Sequence, residues 1–470
     1  MASPRRTVVL NIVGLSNRHI GQHTPNILAY RDAGNQAFID PAFPAVTCTA
    51  QSDYLTGQTS GTHGAVANGW YQRDLAEVQF WKQSNHLVQA QKVWEKLRQK
   101  HPHFTCAKLF WWYNMYSSAN WSITPRPMYP ADGRKLFDIH THPNNIRTDI
   151  KCDLGEFPFP GFWGPAAGRD TPQGSADCAS RWIAESAKWI EKKNSPTLSL
   201  VYLPHLDYNL QRLGPEAGPI TTDLREIDDI VGELLAFYGR RGIQVMLLSE
   251  YGITEVNHAI HLNRLFREQG WLTIKMELGL EMLNADASRV FAVADHQVAH
   301  IYLNRTEKSS FRIEVQKFLE GIEGVQSVIN STTQKELGVD HERSGDLIAV
   351  AKENAWFTYY YWLNDERAPD FARTVDIHRK PGFDPVELFI DPQITFPKLR
   401  IACRLLQKKL GLRMLMDVVP LDSSLVKGSH GCRPSNRMDW PICIVPDLGK
   451  FEGDDLKSTD VFSLILHTVG

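Results

Sequence analysis

The chain alternates between short apolar runs and longer segments in which apolar residues recur at helical spacing. The runs RTVVLNIVGL, TLSLVYLP and IQVMLLS, at residues 6–15, 197–204 and 243–249, are nearly continuous and predict buried parallel strands. The segments at 23–34, 180–193 and 221–242 predict helices, because their apolar residues form one face and capping residues bound them. This alternation predicts a doubly wound α/β fold, with a mostly parallel sheet and helices on both faces.

The periodic pattern weakens after about residue 350. We therefore predict an α/β core at 1–350, an irregular cap or insertion rich in aromatic residues and proline at 351–400, and a return to the core at 401–470. The cluster WFTYYYW at 356–362 is interpreted as core packing, with the wall of a pocket for a planar ligand as the alternative.

Composition narrows the class of protein. A chain of 470 residues with 43% hydrophobic and 22% charged residues suits one large α/β unit with an insertion. The net charge of -2 disfavours nucleic-acid binding, and no apolar run is long enough to span a membrane. The first apolar segment is too short for a signal peptide, and the seven scattered cysteines indicate neither a disulfide framework nor a cysteine zinc site. We expect a cytoplasmic protein.

Candidate chemistry follows the predicted strands, because ligands bind outside the carboxyl ends of the strands in an open parallel sheet. Five stretches occupy such places or a late glycine-rich loop: IVGLS (12–16), FPAVTCTAQ (43–51), YLPHLDYNLQRLGP (202–215), LLSEYGITEVNHAIHLN (247–263) and KGSHGCRPSN (427–436).

Thr47 and Thr49 stand at the predicted start of a helix. Thr47 is a candidate nucleophile or anion-binding residue, because helix amino termini favour negative charge. The alternative, favoured by local sequence alone, is that one of these two threonines is only the N-cap of that helix.

Two short motifs combine acid, base or ligand chemistry. His205 and Asp207 flank one leucine and are expected on the same side of an extended segment, as a metal-binding or acid/base pair or as a hydrogen-bonded loop pair. Glu250 and Tyr251 follow a strand and are candidates for a ligand, a base or strand-end polar groups.

Other histidines are weaker candidates. His258 and His261 are close enough to share a helix face, for a metal or for a structural role. Asp295, His296 and His300 are typical of a surface hairpin rather than of a site.

Taken in order, these stretches resemble the alkaline phosphatase superfamily in its nucleotide pyrophosphatase/phosphodiesterase branch. VVLNIVGL is similar to the first strand of that branch, FPAVTCTAQSDYLTG to its nucleophile segment and DYNLQRLGP to its Asp-x-x-x-His-x-x-Gly-Pro loop. LLSEYGI stands where the branch has Ser-Asp-His-Gly, and GSHG matches its last ligand motif. The resemblance spans nearly the whole chain and implies hydrolysis of phosphate esters by a threonine with two metal ions.

Carried over residue by residue, the resemblance places Thr47 at the nucleophile and Asp207 and His430 at ligands of one metal. The third ligand of that metal, normally histidine, is Gln211, a weak oxygen ligand.

The other metal site departs further from the family pattern. Val13 replaces an aspartate, and Glu250 and Tyr251 replace an Asp-His pair. The phosphate-contacting asparagine is replaced by Ala50, with Gln51 adjacent. A conventional two-zinc site is therefore not expected, because valine cannot bind a metal and tyrosine and glutamine bind zinc poorly.

Two hypotheses follow. In the first, the chain is a hydrolase or phosphoryl-type transferase acting on a small phosphorylated metabolite. In this hypothesis the catalytic residues are Thr47, Glu250 and His205, and the substrate-binding residues are Thr49, Gln51 and Tyr251. At most one zinc, manganese or magnesium ion is bound, by Asp207, His430 and, weakly, Gln211. In the second, the chain binds a phosphate-bearing or polyol metabolite without hydrolysis. A further option is acid/base chemistry on a cyclic polyol by His205, Asp207 and Glu250.

Overall fold

A computed structural model of the chain describes residues 3–168, 178–216, 218–304, 306–449, 451 and 455–470. The strands are β1 (Thr7–Ile12), β2 (Asn35–Asp40), β3 (Gly69–Gln72), β4 (Glu77–Phe80), β5 (Cys106–Leu109), β6 (Trp121–Pro125), β7 (Ile139–His142), β8 (Leu198–Leu203), β9 (Gln244–Leu248), β10 (Thr254–Glu255), β11 (His258–Ile260), β12 (Ile274–Glu277), β13 (Leu280–Leu283), β14 (Val290–Asp295), β15 (Val298–Leu303), β16 (Val325–Ile329), β17 (Leu347–Ala351), β18 (Ala355–Phe357), β19 (Gly428–Ser429), β20 (Ile442–Val445) and β21 (Asp455–Lys457).

The helices are α1 (Pro25–Ala33), α2 (Thr47–Thr56), α3 (Ser60–His63), α4 (Val93–Lys100), α5 (Ile146–Leu154), α6 (Ala179–Asn194), α7 (His205–Leu213), α8 (Thr221–Gly239), α9 (Leu262–Glu268), α10 (Ser309–Glu320), α11 (Ser331–Glu336), α12 (Pro397–Lys409) and α13 (Asp460–Val469). None of the helices in these described ranges combines the length and the apolar character that crossing a bilayer requires.

The main sheet has the strand order β21-β2-β20-β9-β1-β8-β5-β6-β7. Its centre is parallel, since β1 pairs with both β8 and β9 in parallel, and β5 continues the parallel arrangement beyond β8. Antiparallel pairs are found toward the margins, where β20 lies between β2 and β9 and where β7 joins β6. This architecture is the mostly parallel α/β sheet that the sequence predicts.

The three central strands are the continuous apolar runs of the sequence. Every residue of β1 and β8 is buried, because helices cover the two faces of this part of the sheet. The carboxyl ends of β1, β8 and β9 are adjacent, so the loops after Ile12, Leu203 and Leu248 emerge side by side. This edge is where an open parallel sheet places a ligand site.

The helices form two packed groups. The first contains α1, α6 and α8, and the second contains α2, α4 and α13. The predicted helix at 180–193 is α6, whose apolar residues Trp182, Ile183 and Ile190 are buried against β8. All seven cysteines lie in the described residues and are free thiols, as their scattered positions indicate.

A second sheet, antiparallel and with the order β14-β15-β17-β16, has its own apolar cluster. The aromatic run at 356–362 belongs to this cluster, with Tyr359, Tyr360 and Trp362 fully buried, which confirms its interpretation as core. This sheet spans residues 290–351 and so passes the predicted boundary at 350 by one residue. The division of the chain at residues 350 and 400 remains a prediction.

The segment between β18 and α12 is held by a buried group of charges. The ammonium of Lys380 lies 2.8 Å from Asp384 Oδ2 and 2.7 Å from Glu387 Oε1. Glu387 also accepts hydrogen bonds from the indole of Trp163 at 2.6 Å and from the backbone N–H of Asp376 at 2.9 Å. One cation therefore compensates two buried carboxylates and holds the segment at 376–387 in place.

Replacing Lys380 is expected to destabilise the protein strongly. The variant Lys380→Met leaves two buried carboxylates without a cation, which costs about 3–5 kcal/mol of the free energy of unfolding. Urea denaturation followed by tryptophan fluorescence measures this loss. The matched control is Arg379→Ala, which removes an exposed neighbouring cation and should change stability by at most about 1 kcal/mol. Equal stabilities for the two variants would contradict the prediction.

Candidate functional site

A cavity of about 690 Å³ opens at the carboxyl ends of β8 and β9. Its floor includes Thr47, Asp207, Gln211, Tyr251 and His430. The structure therefore brings together residues from positions 47 to 430 of the sequence. Its walls are largely aromatic and come from Trp81, Trp112, Phe159, Phe162, Trp163, Tyr202, Tyr208 and Phe383. A pocket that is apolar with a few convergent polar groups is typical of a small-molecule site.

Thr47 is the first residue of α2 and does not cap that helix. Val46 occupies the N-cap position without any side-chain cap, and the Thr49 hydroxyl donates to the carbonyl of Ala65 at 2.9 Å. The N-cap role that local sequence favours is therefore wrong for both threonines. The Thr47 hydroxyl instead lies in the cavity, 3.2 Å from the hydroxyl of Tyr251.

Tyr251 connects Thr47 to a buried carboxyl group. The Tyr251 hydroxyl donates to Asp207 Oδ1 at 3.2 Å, and the Gln211 amide donates to Asp207 Oδ2 at 2.7 Å. Burial raises the pKa of Asp207 to about 7, although both hydrogen bonds oppose this shift by stabilising the carboxylate. A carboxyl group with this pKa changes its protonation near neutral pH, which is the property of a general base.

Glu250 lies beneath the floor of the cavity at the end of β9. Its Oε1 accepts from the side-chain amides of Asn11 and Gln51, both at 2.5 Å. Burial raises the pKa of Glu250 to about 8, against the effect of these two donors, and the charge of Asp207 adds to the rise. Glu250 thus joins β1, α2 and β9 below the candidate nucleophile.

Four aromatic rings form a continuous stack along the cavity. Tyr251 lies on His430 with ring centroids 3.5 Å apart, His430 on His296 at 3.7 Å, and His296 on Phe383 at 3.6 Å. The ring nitrogen Nδ1 of His430 lies 2.7 Å from the carbonyl oxygen of Ala45. Because this oxygen can only accept, the neutral ring carries its proton on Nδ1 and donates it there. Burial lowers the pKa of His430 to about 3 and also lowers that of His296, so both rings are neutral.

His296 is a site residue that sequence reasoning missed. The predicted hairpin exists as β14 and β15, but it is buried and not at the surface, because it contacts the segment at 66–68 and the loop that carries His430. His296 is at its turn with φ 60°, in the left-handed region, and Gln297 donates its backbone N–H to the carbonyl of His430 at 2.9 Å. No local pattern marks this contact, since its partner is in a distant loop.

Two further buried polar residues support the site without any clear signal in the sequence. Asn68 accepts from the backbone N–H of Cys48 at 3.0 Å and donates its own backbone N–H to Asp295 at 2.8 Å. One donor of the first turn of α2 is therefore already used by the protein. Asn11 is the single amide in the apolar strand β1, and this interruption is the only sequence feature that could have indicated its role.

Some candidate residues lie elsewhere. His205 begins helix α7, so the expected extended segment is wrong, and its ring contacts Cys178 Sγ at 3.2 Å and Glu226 Oε2 at 3.0 Å. It does not line the cavity. His258 lies in β11 and His261 precedes α9, so they do not share a helix face.

The residues present do not fit the two-metal centre that the family resemblance implies. At one site Val13 offers no ligand atom, and the nearby carboxyl oxygen of Glu250 is taken by two amide donors. At the other, an amide N–H of Gln211 points at Asp207. Within the described ranges no three His, Cys, Asp or Glu side chains converge as a metal site needs.

The chain belongs to the type I phosphodiesterase / nucleotide pyrophosphatase family, whose pattern matches residues 7–384. This family is part of the alkaline phosphatase superfamily, and its members are hydrolases of phosphodiester and pyrophosphate bonds that typically depend on divalent metals.

Among individual proteins, an uncharacterised pyrophosphatase/phosphodiesterase of Schizosaccharomyces pombe is 22% identical over 255 residues. The match covers 52% of this chain and 44% of that relative, so the chain spans less than half of the relative's length.

Solved structures confirm the fold. Murine ectonucleotide pyrophosphatase / phosphodiesterase 5, in an inactive threonine-to-alanine variant with AMP, superimposes with a TM-score of 0.57 at 13% identity, over 99% of this chain and 95% of that chain. Phosphonoacetate hydrolase from Sinorhizobium meliloti, with phosphonoacetate, gives a TM-score of 0.61 at 13% identity, over 99% and 96%.

The raised pKa of Glu250 makes stability depend on pH. The usual pKa of 4.5 rises to about 8 on folding, so between these values the folded state holds more protons than the unfolded state. The contribution of Glu250 to the free energy of unfolding therefore falls as pH rises from about 5 to about 8. In Glu250→Gln this dependence should be shallower by up to about 1.4 kcal/mol per pH unit, as measured by urea denaturation at several pH values.

The control for this measurement is Glu255→Gln, which alters an exposed glutamate shortly after the same strand. Its pH dependence should match that of the unchanged protein. If Glu250→Gln were as pH-dependent as this control, Glu250 would not carry the proton assigned to it.

Proposed function

We propose that the chain hydrolyses a phosphate ester or diester of a small molecule, with Thr47 as the nucleophile. The observation that carries this proposal is the chain of hydrogen bonds from Thr47 through Tyr251 to Asp207, each 3.2 Å long, on the floor of an aromatic cavity. Family membership supports the reaction class, and the inactive threonine-to-alanine variant of the murine relative supports a threonine in this role.

The hydrogen bonds supply a route for the proton that an attacking hydroxyl must lose. Thr47 Oγ1 donates to the Tyr251 hydroxyl, which donates to Asp207 Oδ1, so as Oγ1 bonds to phosphorus the proton of Thr47 passes to Tyr251 and the proton of Tyr251 passes to Asp207. The bond from phosphorus to the leaving oxygen breaks, and that oxygen takes a proton from solvent. Water then attacks phosphorus and loses a proton to solvent, the bond from phosphorus to Oγ1 breaks, and Asp207 returns a proton to Thr47 through Tyr251. A hydroxyl needs such a base, because it is a poor nucleophile at its free pKa.

The cavity favours an alcohol part that is aromatic or apolar. Trp81 and Trp112 lie with ring centroids 4.7 Å apart, and Phe383 lies 6.1 Å from Trp81. Basic side chains, among them Arg126 and Lys135, stand at the cavity wall and suit a negatively charged substrate. The complexes of the solved relatives, with AMP and with phosphonoacetate, agree with a small phosphorylated molecule.

The alternative proposal is a binding protein without turnover. It is favoured by the hydrogen bonds that the side-chain amides of Asn11 and Gln51 donate to Glu250 Oε1. Glu250 replaces a residue that binds the second metal ion according to the family resemblance, and these bonds use its oxygen. In that case the same cavity holds a phosphate-bearing ligand, and Thr47 only donates a hydrogen bond.

Hydrolysis of bis(4-nitrophenyl) phosphate and of AMP esters by the purified chain tests the first proposal. Thr47→Ala should lower kcat by at least about 100-fold, because it removes the attacking oxygen, and Thr47→Ser should retain part of the activity. The rate should rise with pH around the pKa of Asp207, about 7, and Asp207→Asn should abolish that rise.

The control is Thr56→Ala, at the other end of the same helix, where the hydroxyl donates to the carbonyl of Ser52 and accepts from the backbone N–H of Gln58, away from the cavity. It should leave kcat unchanged. Tight binding of these compounds with no turnover in the unchanged chain would favour the binding protein, and full activity of Thr47→Ala would refute the nucleophile.

We also propose that the site holds at most one divalent ion, at Asp207 and His430, with Gln211 as a weak third ligand. Asp207 accepts a proton only in the ion-free site, because an ion bound to its carboxylate takes the place of that proton. Elemental mass spectrometry after equilibration with zinc, manganese or magnesium should give no more than one ion per chain, and the variant Asp207→Ala should lose it. Two ions per chain, both lost together in that variant, would contradict the assignment of the ligands.

A further inference from the structure

Helix α12 (Pro397–Lys409) lies on the outside of the protein with none of its residues buried. Ile401, Leu405 and the following Leu412 turn toward the cavity and line its mouth. A second apolar stripe, at intervals of three, seven and four residues, faces solvent, with exposed fractions of 70%, 63%, 57% and 67% for Phe396, Leu399, Leu406 and Leu410. Stripes of this size on soluble proteins mark interaction surfaces, because their exposure to water is unfavourable.

The same segment is strongly basic, although the whole chain has a net charge of -2. Residues 397–417 contain six basic residues and one acidic residue. The basic residues are Lys398, Arg400, Arg404, Lys408, Lys409 and Arg413, and the acidic residue is Asp417. Asp417 pairs with Arg400 and Arg404, whereas Lys398 and Lys409 form no ion pair with any described residue. The surface therefore has an excess of positive charge beside its apolar stripe.

The loop at residues 126–137 extends this surface. Lys408 lies over the ring of Phe137 at 4.9 Å, and Arg413 donates to the carbonyl of Asp132 at 3.2 Å, so the loop packs against the end of α12. Tyr129 and Phe137 are exposed there, beside Arg134. Apolar and basic side chains thus alternate over both elements around the cavity mouth.

We propose that α12 and the loop at 126–137 form a peripheral docking surface for an anionic lipid bilayer. A helix with an apolar stripe and flanking cations lies in the plane of a membrane interface, where its leucines enter the acyl boundary and its cations meet lipid phosphates. Charge complementarity selects this occupant over a second copy of the chain, because two copies would bring two basic surfaces together. The proposal does not depend on hydrolysis at Thr47.

Co-sedimentation of the full chain with vesicles tests the proposal. Vesicles of phosphatidylcholine with phosphatidylserine should bind the chain, and vesicles of phosphatidylcholine alone should bind it at least about tenfold more weakly. The double variant Leu406→Glu with Leu410→Glu should reduce binding to the anionic vesicles by about tenfold or more, because it places two charges in the apolar stripe.

The matched control is Leu278→Glu, which changes a fully exposed leucine at the turn between β12 and β13. It should bind the anionic vesicles as the unchanged chain does. Since α12 has no buried residue, the double variant should keep the circular dichroism spectrum and melting temperature of the unchanged chain, which excludes unfolding as the cause.

Three outcomes would overturn the proposal: no binding of the unchanged chain to anionic vesicles, equal binding to both kinds of vesicle, or equal binding of the double variant and the control. Self-association that rises with concentration in sedimentation velocity, without vesicle binding, and that the double variant abolishes would instead identify an interface between copies of the chain.

Discussion

The burial of the Glu250 carboxyl group is the constraint around which the site is arranged. A charged carboxylate at the end of β9 is unfavourable in a fully buried place, so the group is held by two amide donors and its pKa is raised to about 8. Those donors come from β1 and α2, and Gln51 also accepts from the backbone N–H of Trp112 at 2.8 Å. The hydrogen bonds that Asn11 and Gln51 donate to this carboxyl group thus hold the first half of α2, which begins at Thr47, against the central strands.

The amides of Asn11, Gln51 and Gln211 hold the two buried carboxyl groups of the site through hydrogen bonds, and this sets the electrostatics between them. A metal supplies fixed positive charge, whereas the amides of Asn11, Gln51 and Gln211 supply only partial charges. Two carboxyl groups can share such a space when at least one of them is protonated, as the raised pKa values of Asp207 and Glu250 allow. The negative charge on these two carboxyl groups therefore increases as pH rises through about 7 to 8.

Sequence patterns were sufficient for the fold and for part of the site. Continuous apolar runs identified β1, β8 and β9, and amphipathic spacing identified α6, because these signals are local. Thr47, Asp207 and His430 were found through a family resemblance, and the structure places all three in one cavity.

The remaining site residues could not be predicted in this way. His296 reaches the site because the turn of its hairpin contacts the distant loop that carries His430, and nothing in its own neighbourhood in the sequence indicates that contact. The prediction that His205 lies in an extended segment beside Asp207 in the site was wrong. A helix begins at His205, and the ring of His205 contacts Cys178 and Glu226 instead of lining the cavity. Long-range packing decides which polar side chains meet, and local patterns carry little of that information.

The stack of Tyr251, His430, His296 and Phe383 also has a mechanical consequence. Its rings come from the end of β9, the late glycine-rich loop, the hairpin of the second sheet and the segment held by Lys380. Each ring is in contact with the next, with centroids 3.5–3.7 Å apart, so the Tyr251 ring cannot move toward His430 unless His430 also moves. A shift of the hairpin or of the segment held by Lys380 would therefore press on the ring whose hydroxyl lies beside Thr47.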